Sequence, residues 1–118
     1  MNSKERVRAA IEGKEVDEIP LGFYAVDCDT VEKVLGHKTY VRDKVGRQIA
    51  FWEGRREEVV ESYKEDVVEF FRKIDCVDLL TFKEAALVPP KDYEPTVPKE
   101  IETGVWEDEE GRVYKVSR

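Results

Sequence analysis

Two carboxylates in this chain follow apolar runs, and a carboxylate in that position can move a proton or stabilise developing charge. Glu84 comes just after Val77, Leu79, Leu80, Thr81 and Phe82, and Asp27 comes after the run Ile19 to Val26. Short apolar runs of this kind read as strands covered on both faces, and α/β proteins gather functional side chains at the carboxyl ends of such strands. Glu84 is therefore the first candidate catalytic residue, and Asp27 the second, as a carboxylate at the mouth of a site. Asp29 has another explanation, because with Glu32 it has the spacing of a capping box opening a helix. Cys28, Cys76 and His37 make up the remaining ligand chemistry. Their spacing fits no zinc motif, and Cys76 falls in an apolar run, where a free thiol behaves as a small buried hydrophobe. No metal or cofactor is expected from them. His37, directly after Gly36, suits a helix C-terminus, where a cation meets the dipole favourably.

The element that positions Glu84 is the stretch from Arg55 onward. Val59, Val60, Tyr63, Val67, Phe70, Phe71 and Ile74 recur at helical spacing and form one apolar face, while Glu57, Glu58, Glu61, Lys64, Glu65, Glu69 and Lys73 form the opposite one. The expectation is a long surface helix, buried on one side and feeding the second strand. Earlier in the chain, Ser3 is placed to cap a first helix that Gly13 ends. Between Lys38 and Gly54, Val41, Val45, Ile49 and Trp52 mark a partly helical segment whose stripe Ala50 and Phe51 widen, with Phe51 and Trp52 expected in a core or subunit contact. Pro89, Pro90, Pro95 and Pro98 exclude a helix after Ala86. Val105-Trp106 and Arg112 to Val116, joined by a turn ending at Gly111, read as a C-terminal hairpin whose aromatic residues need a packing partner.

Composition narrows the function classes. With 118 residues, the chain suffices for one domain with one core. A formal net charge of -7 opposes a sequence-blind grip on nucleic acid or an anionic membrane. Arg42, Lys44, Arg47, Arg55 and Arg56 form the one basic concentration and read as solvated positions. No apolar run approaches the about 20 residues of a membrane helix, and no long apolar core follows the N-terminal charges as a signal peptide requires. Two cysteines offer little disulfide framework, so the expected compartment is the reducing cytoplasm.

The order of elements, with Ser3-Lys4-Glu5-Arg6-Val7, Asp17-Glu18-Ile19-Pro20-Leu21 and Trp106-Glu107-Asp108-Glu109-Glu110-Gly111, resembles the N-terminal part of the uroporphyrinogen decarboxylase superfamily, which includes corrinoid-dependent methyltransferases. The resemblance implies an α/β fold in which residues 1–118 are a single partial domain, the N-terminal segment of a (β/α)8 barrel. That segment would hold two buried parallel strands, flanking helices and the hairpin. It implies that Phe82-Lys83-Glu84 corresponds to the run carrying the catalytic aspartate, where a carboxylate could stabilise pyrrole protonation. The family's arginine motif is replaced by Tyr24-Ala25-Val26-Asp27-Cys28-Asp29, an acidic loop that would repel a polyanion. This favours a methyltransferase-like member over a tetrapyrrole decarboxylase. Two strands cannot close a barrel, and their open edges invite pairing. The chain is thus expected to act on a small molecule only with a complementing chain or as a homo-oligomer. The rival expectation is a non-catalytic assembly module joined through Phe51, Trp52 and Trp106, with Glu84 paired to a cation.

Overall fold

The computed structural model describes residues 1–81 and 88–117, and within them the protein is a mixed helix and strand structure. Its elements in chain order are α1 (Ser3–Ile11), β1 (Gly22–Phe23), α2 (Cys28–Leu35), α3 (Lys44–Trp52), α4 (Arg56–Ile74), β2 (Leu79–Leu80), β3 (Lys99–Glu102), β4 (Val105–Glu107) and β5 (Val113–Lys115). β1 and β2 pair in parallel, with Gly22 opposite Leu79 and Phe23 opposite Leu80. β3, β4 and β5 form a separate antiparallel sheet in that order.

The first helix begins one residue before its expected cap. Asn2, not Ser3, is the N-cap, its Oδ1 accepting from the Glu5 amide at 2.9 Å while the Glu5 carboxylate accepts from the Asn2 amide at 3.0 Å. Asn is as good a cap as Ser, and only Asn2 has a carboxylate three residues on. Gly13 ends the helix as expected: it is left-handed, and the amides of Gly13 and Lys14 reach back to the Ala10 and Ala9 carbonyls. Arg6 then ties the helix to the strands. Its guanidinium contacts Asp17 and Asp78, and Asp78 in turn accepts from the Leu21 amide at 3.0 Å, which aligns the start of β1 beside β2.

α4 is the organising helix the periodicity predicts, and its apolar stripe divides into two flanks. On one flank Val59 and Tyr63 pack with Ala50 and Phe51 of α3, and Phe70 packs with Val31 and Leu35 of α2. The other flank, Val60, Val67 and Phe71, faces an open cleft. In α3 the buried residues are Ala50 and Phe51, the two that widen the expected stripe, while Val45 is exposed. α2 starts at Cys28 with Asp27 as N-cap, so the expected Asp29–Glu32 capping box is absent. Asp29 instead lies in the first helical turn, and Glu32 turns to accept from the Thr39 amide at 3.3 Å.

The hairpin is present, with Trp106 opposite Tyr114. Asp108 Oδ1 holds its turn by accepting from the amides of Glu110 and Arg112. The chain after Pro98, where the prolines exclude a helix, adds β3 to it as a third strand. The packing partner is Trp52, whose ring lies 5.5 Å from Trp106 and 5.4 Å from Tyr114 between centroids.

The parallel strands are paired but not buried, contrary to expectation. Leu79 is 54 % exposed and Ile19 is 89 % exposed. The reason is geometric: α2 and α3 pack against α4, among the described residues only Phe23 of the strand pair reaches an α4 ring, that of Phe71, and α1, held by Arg6, leaves an open depression over Leu79. Cys76, which follows the left-handed residue Asp75, is also exposed and not the buried small hydrophobe expected. Extents of 58 × 29 × 26 Å and a radius of gyration of 18.5 Å compare with about 13.5 Å for a compact domain of this length. The accessible surface is 8725 Å², against about 6,600 Å² for a globular monomer of this mass.

Candidate functional site

Beyond the carboxyl ends of β1 and β2 the chain opens into an apolar cleft of about 330 Å³. Its floor is the uncovered flank of α4, and its walls include Phe23, Ala25, Val26, Val31, Thr81 and Val88. The volume is that of a small-molecule site, and the place is where parallel α/β folds put one. Among the described lining residues the charged ones are all cations: Arg42, Arg56 and Lys64. The basic cluster is thus not wholly solvated, since Arg42 and Arg56 form part of a cavity wall. Each of the three has an acidic neighbour: Asp27 at 3.7 Å from Arg42, Glu57 at 2.5 Å from Arg56 and Glu61 at 3.6 Å from Lys64. Arg56 also donates to the Pro89 carbonyl at 2.6 Å. Arg42 has a φ of 59°, a left-handed conformation that a non-glycine residue adopts at a cost and that recurs at ligand clamps.

Asp27 stands at the α2 N-cap with an exposed carboxylate, next to Arg42 and so beside the cleft. Glu84, with Phe82 and Lys83, lies outside the described residues. Cys28 is no activated nucleophile: burial, with the Glu32 carboxylate beside it, pushes its thiol up to about 11, and the reactive species is the thiolate.

A second polar constellation sits where the α2–α3 connection meets α4. Asp66 is 7 % exposed, and its Oδ2 accepts from the hydroxyls of Thr39 at 2.7 Å and Ser62 at 2.6 Å. Ser62 Oγ also accepts from the Tyr40 amide at 2.9 Å. Burying a carboxylate is costly without such donors, so Asp66 is stable here because the connecting loop supplies them. His37 Nε2 lies 3.6 Å from Glu69 and 4.0 Å from Asp66. Its Nδ1 bond to the Lys38 carbonyl, together with those two carboxylates, holds its pKa above the ordinary histidine value. His37 therefore meets side chains of α4 and not only the end of α2. Asp66 was legible in part: it falls three residues after Tyr63 and four before Phe70, inside the apolar stripe, where a charge needs partners.

The arrangement defines an α/β protein with a small-molecule-sized cleft at the ends of a parallel strand pair. The chain matches no family model, no curated protein and no solved structure. No described helix is long and apolar enough to cross a membrane.

Proposed function

We propose that this chain is the N-terminal portion of a (β/α)8-type barrel of the uroporphyrinogen decarboxylase superfamily, acting in the cytoplasm on a small apolar molecule that bears an anionic group. The observation that carries this reading is the cleft: apolar walls with three cations at the carboxyl ends of two parallel strands. Exposed carboxylate partners hold those cations weakly, so an anionic ligand can displace them. The uncovered faces of β1 and β2 support the further proposal that barrel surface from another polypeptide, or from a second copy, completes the site. In that assembly Glu84 supplies the carboxylate for lyase or methyl-transfer chemistry, with Asp27 at the mouth. Glu84→Gln is then expected to abolish activity of the assembly while leaving thermal stability nearly unchanged.

The assembly module joined through Phe51, Trp52 and Trp106 has less support. Phe51 is buried within the chain, and the rings of Trp52 and Trp106 pack on each other at a tilt of 54°. The cleft is tested with an anionic apolar fluorophore such as anilinonaphthalene sulfonate. Saturable binding by the native chain, weakened at least about tenfold by Val67→Trp with circular dichroism unchanged, supports the site. Equal binding by both proteins contradicts it.

A further inference from the structure

Asp66 and Glu69 lie three residues apart on α4, so their carboxylates leave the helix on one face. The left-handed residue Gly36 turns the chain after α2 and brings His37 opposite them. One ligand atom from each of the three residues lies within 4.8 Å of the others. What distinguishes the group from a chance surface contact is its outer atoms. His37 Nδ1 is 2.9 Å from the Lys38 carbonyl, which can only accept, so Nδ1 carries the proton and Nε2 faces the carboxylates. Asp66 Oδ2 is held by two hydroxyls, and Glu69 Oε1 lies 3.3 Å from Lys73 Nζ. Each prospective ligand thus has a protein partner on its second atom, the pattern that surrounds metal ligands. An Nε2 lone pair facing two carboxylates is repulsive unless a cation or a proton lies between them.

We propose that His37, Asp66 and Glu69 bind one divalent transition-metal ion of the zinc class, clamping the α2–α3 connection onto α4. The imidazole selects against magnesium and calcium, which prefer all-oxygen sites. Tetrahedral coordination sets ligand atoms about 3.3 Å apart. The half-exposed side chains of His37 and Glu69 move to reach that spacing, while Asp66 is kept in place by Thr39 and Ser62. Water fills the remaining position.

The test is calorimetric titration of the chelator-treated full chain with zinc chloride, with magnesium chloride as control. One zinc ion per chain is expected, with magnesium not competing and with the zinc-dependent rise in Tm lost in His37→Ala. His37→Ala and Glu69→Gln should each weaken zinc at least about tenfold, since losing even a supporting partner costs that much. A Cys28→Ser, Cys76→Ser double variant should bind as the native chain does, and its cobalt complex should show no thiolate charge-transfer band. Unchanged affinity in His37→Ala, equal binding of magnesium, or loss of binding in the cysteine variant would overturn the assignment.

Discussion

The helical layer and the parallel strand pair use similar residues to opposite ends. In the layer, Val31, Val59 and Phe70 are almost fully enclosed by α2, α3 and α4, and the buried Asp66 is satisfied by Thr39 and Ser62. In the strand pair, Ile19, Leu21, Leu79 and Leu80 are equally apolar and stand in solvent. These exposed apolar side chains lie on both faces of the pair, since successive strand residues point in opposite directions. Local periodicity selects an apolar face, while what packs on that face depends on elements distant in sequence.

The largest expected effect is at Phe70. Phe70→Ala should cost about 3–5 kcal/mol, the usual penalty for emptying an enclosed aromatic site, and should unfold the chain at far lower urea than the native protein. If Leu79→Ala costs the isolated chain as much, the two regions do not differ and the contrast fails. Thr39→Val removes one of the two hydroxyls on the Asp66 carboxylate and should cost about 1–3 kcal/mol, read by the same denaturation curve. Trp52→Ala should cost about 0.5–1.5 kcal/mol for each ring pair lost and should erase much of the near-ultraviolet circular dichroism, as the antiparallel sheet loses its anchor. Leu79→Ala should change the isolated chain by less than about 0.5 kcal/mol, as exposed positions do.

The attachment of α1 sharpens the contrast through pH. Arg6 holds Asp17, and Asp78 is held by the Leu21 amide and by Arg6, so both carboxyls titrate below the usual carboxylate range. A depressed native pKa means the unfolded chain binds protons more readily, so this stabilisation is complete above the unfolded carboxylate pKa of about 4 and fades as pH falls through the native values. Arg6→Ala should therefore lower Tm at neutral pH, with the difference from the native chain narrowing in acid. A constant difference across that range would place the effect of Arg6 elsewhere.

How much was legible follows from range. α4 and the hairpin were readable because their signals are local: helical spacing from Val59 to Ile74, and a turn of acidic residues ending at Gly111 between β-prone runs. Parallel pairing of β1 with β2 was readable from two apolar runs separated by a helical excursion. The choice of Asn2 over Ser3 and the loss of the Asp29 box turned on competition between adjacent caps, which spacing alone does not rank. Arg6 with Asp78, and His37 with Asp66 and Glu69, join residues far apart in the chain, and only the fold brings them together. For the cleft, the sequence pointed to the strand ends but not to Arg42 and Arg56 as wall residues.

Whether a further surface covers the exposed apolar residues around β1 and β2 is tested by the solution mass, from light scattering, of the native chain and a Leu21→Lys, Leu79→Lys variant at matched concentrations. A native mass well above the 13.7 kDa of one chain, or a complex with a second polypeptide, is expected, with a fall to a folded monomer in the variant. A native chain that stays a folded 13.7 kDa monomer at high concentration, and that recruits no partner, would contradict it.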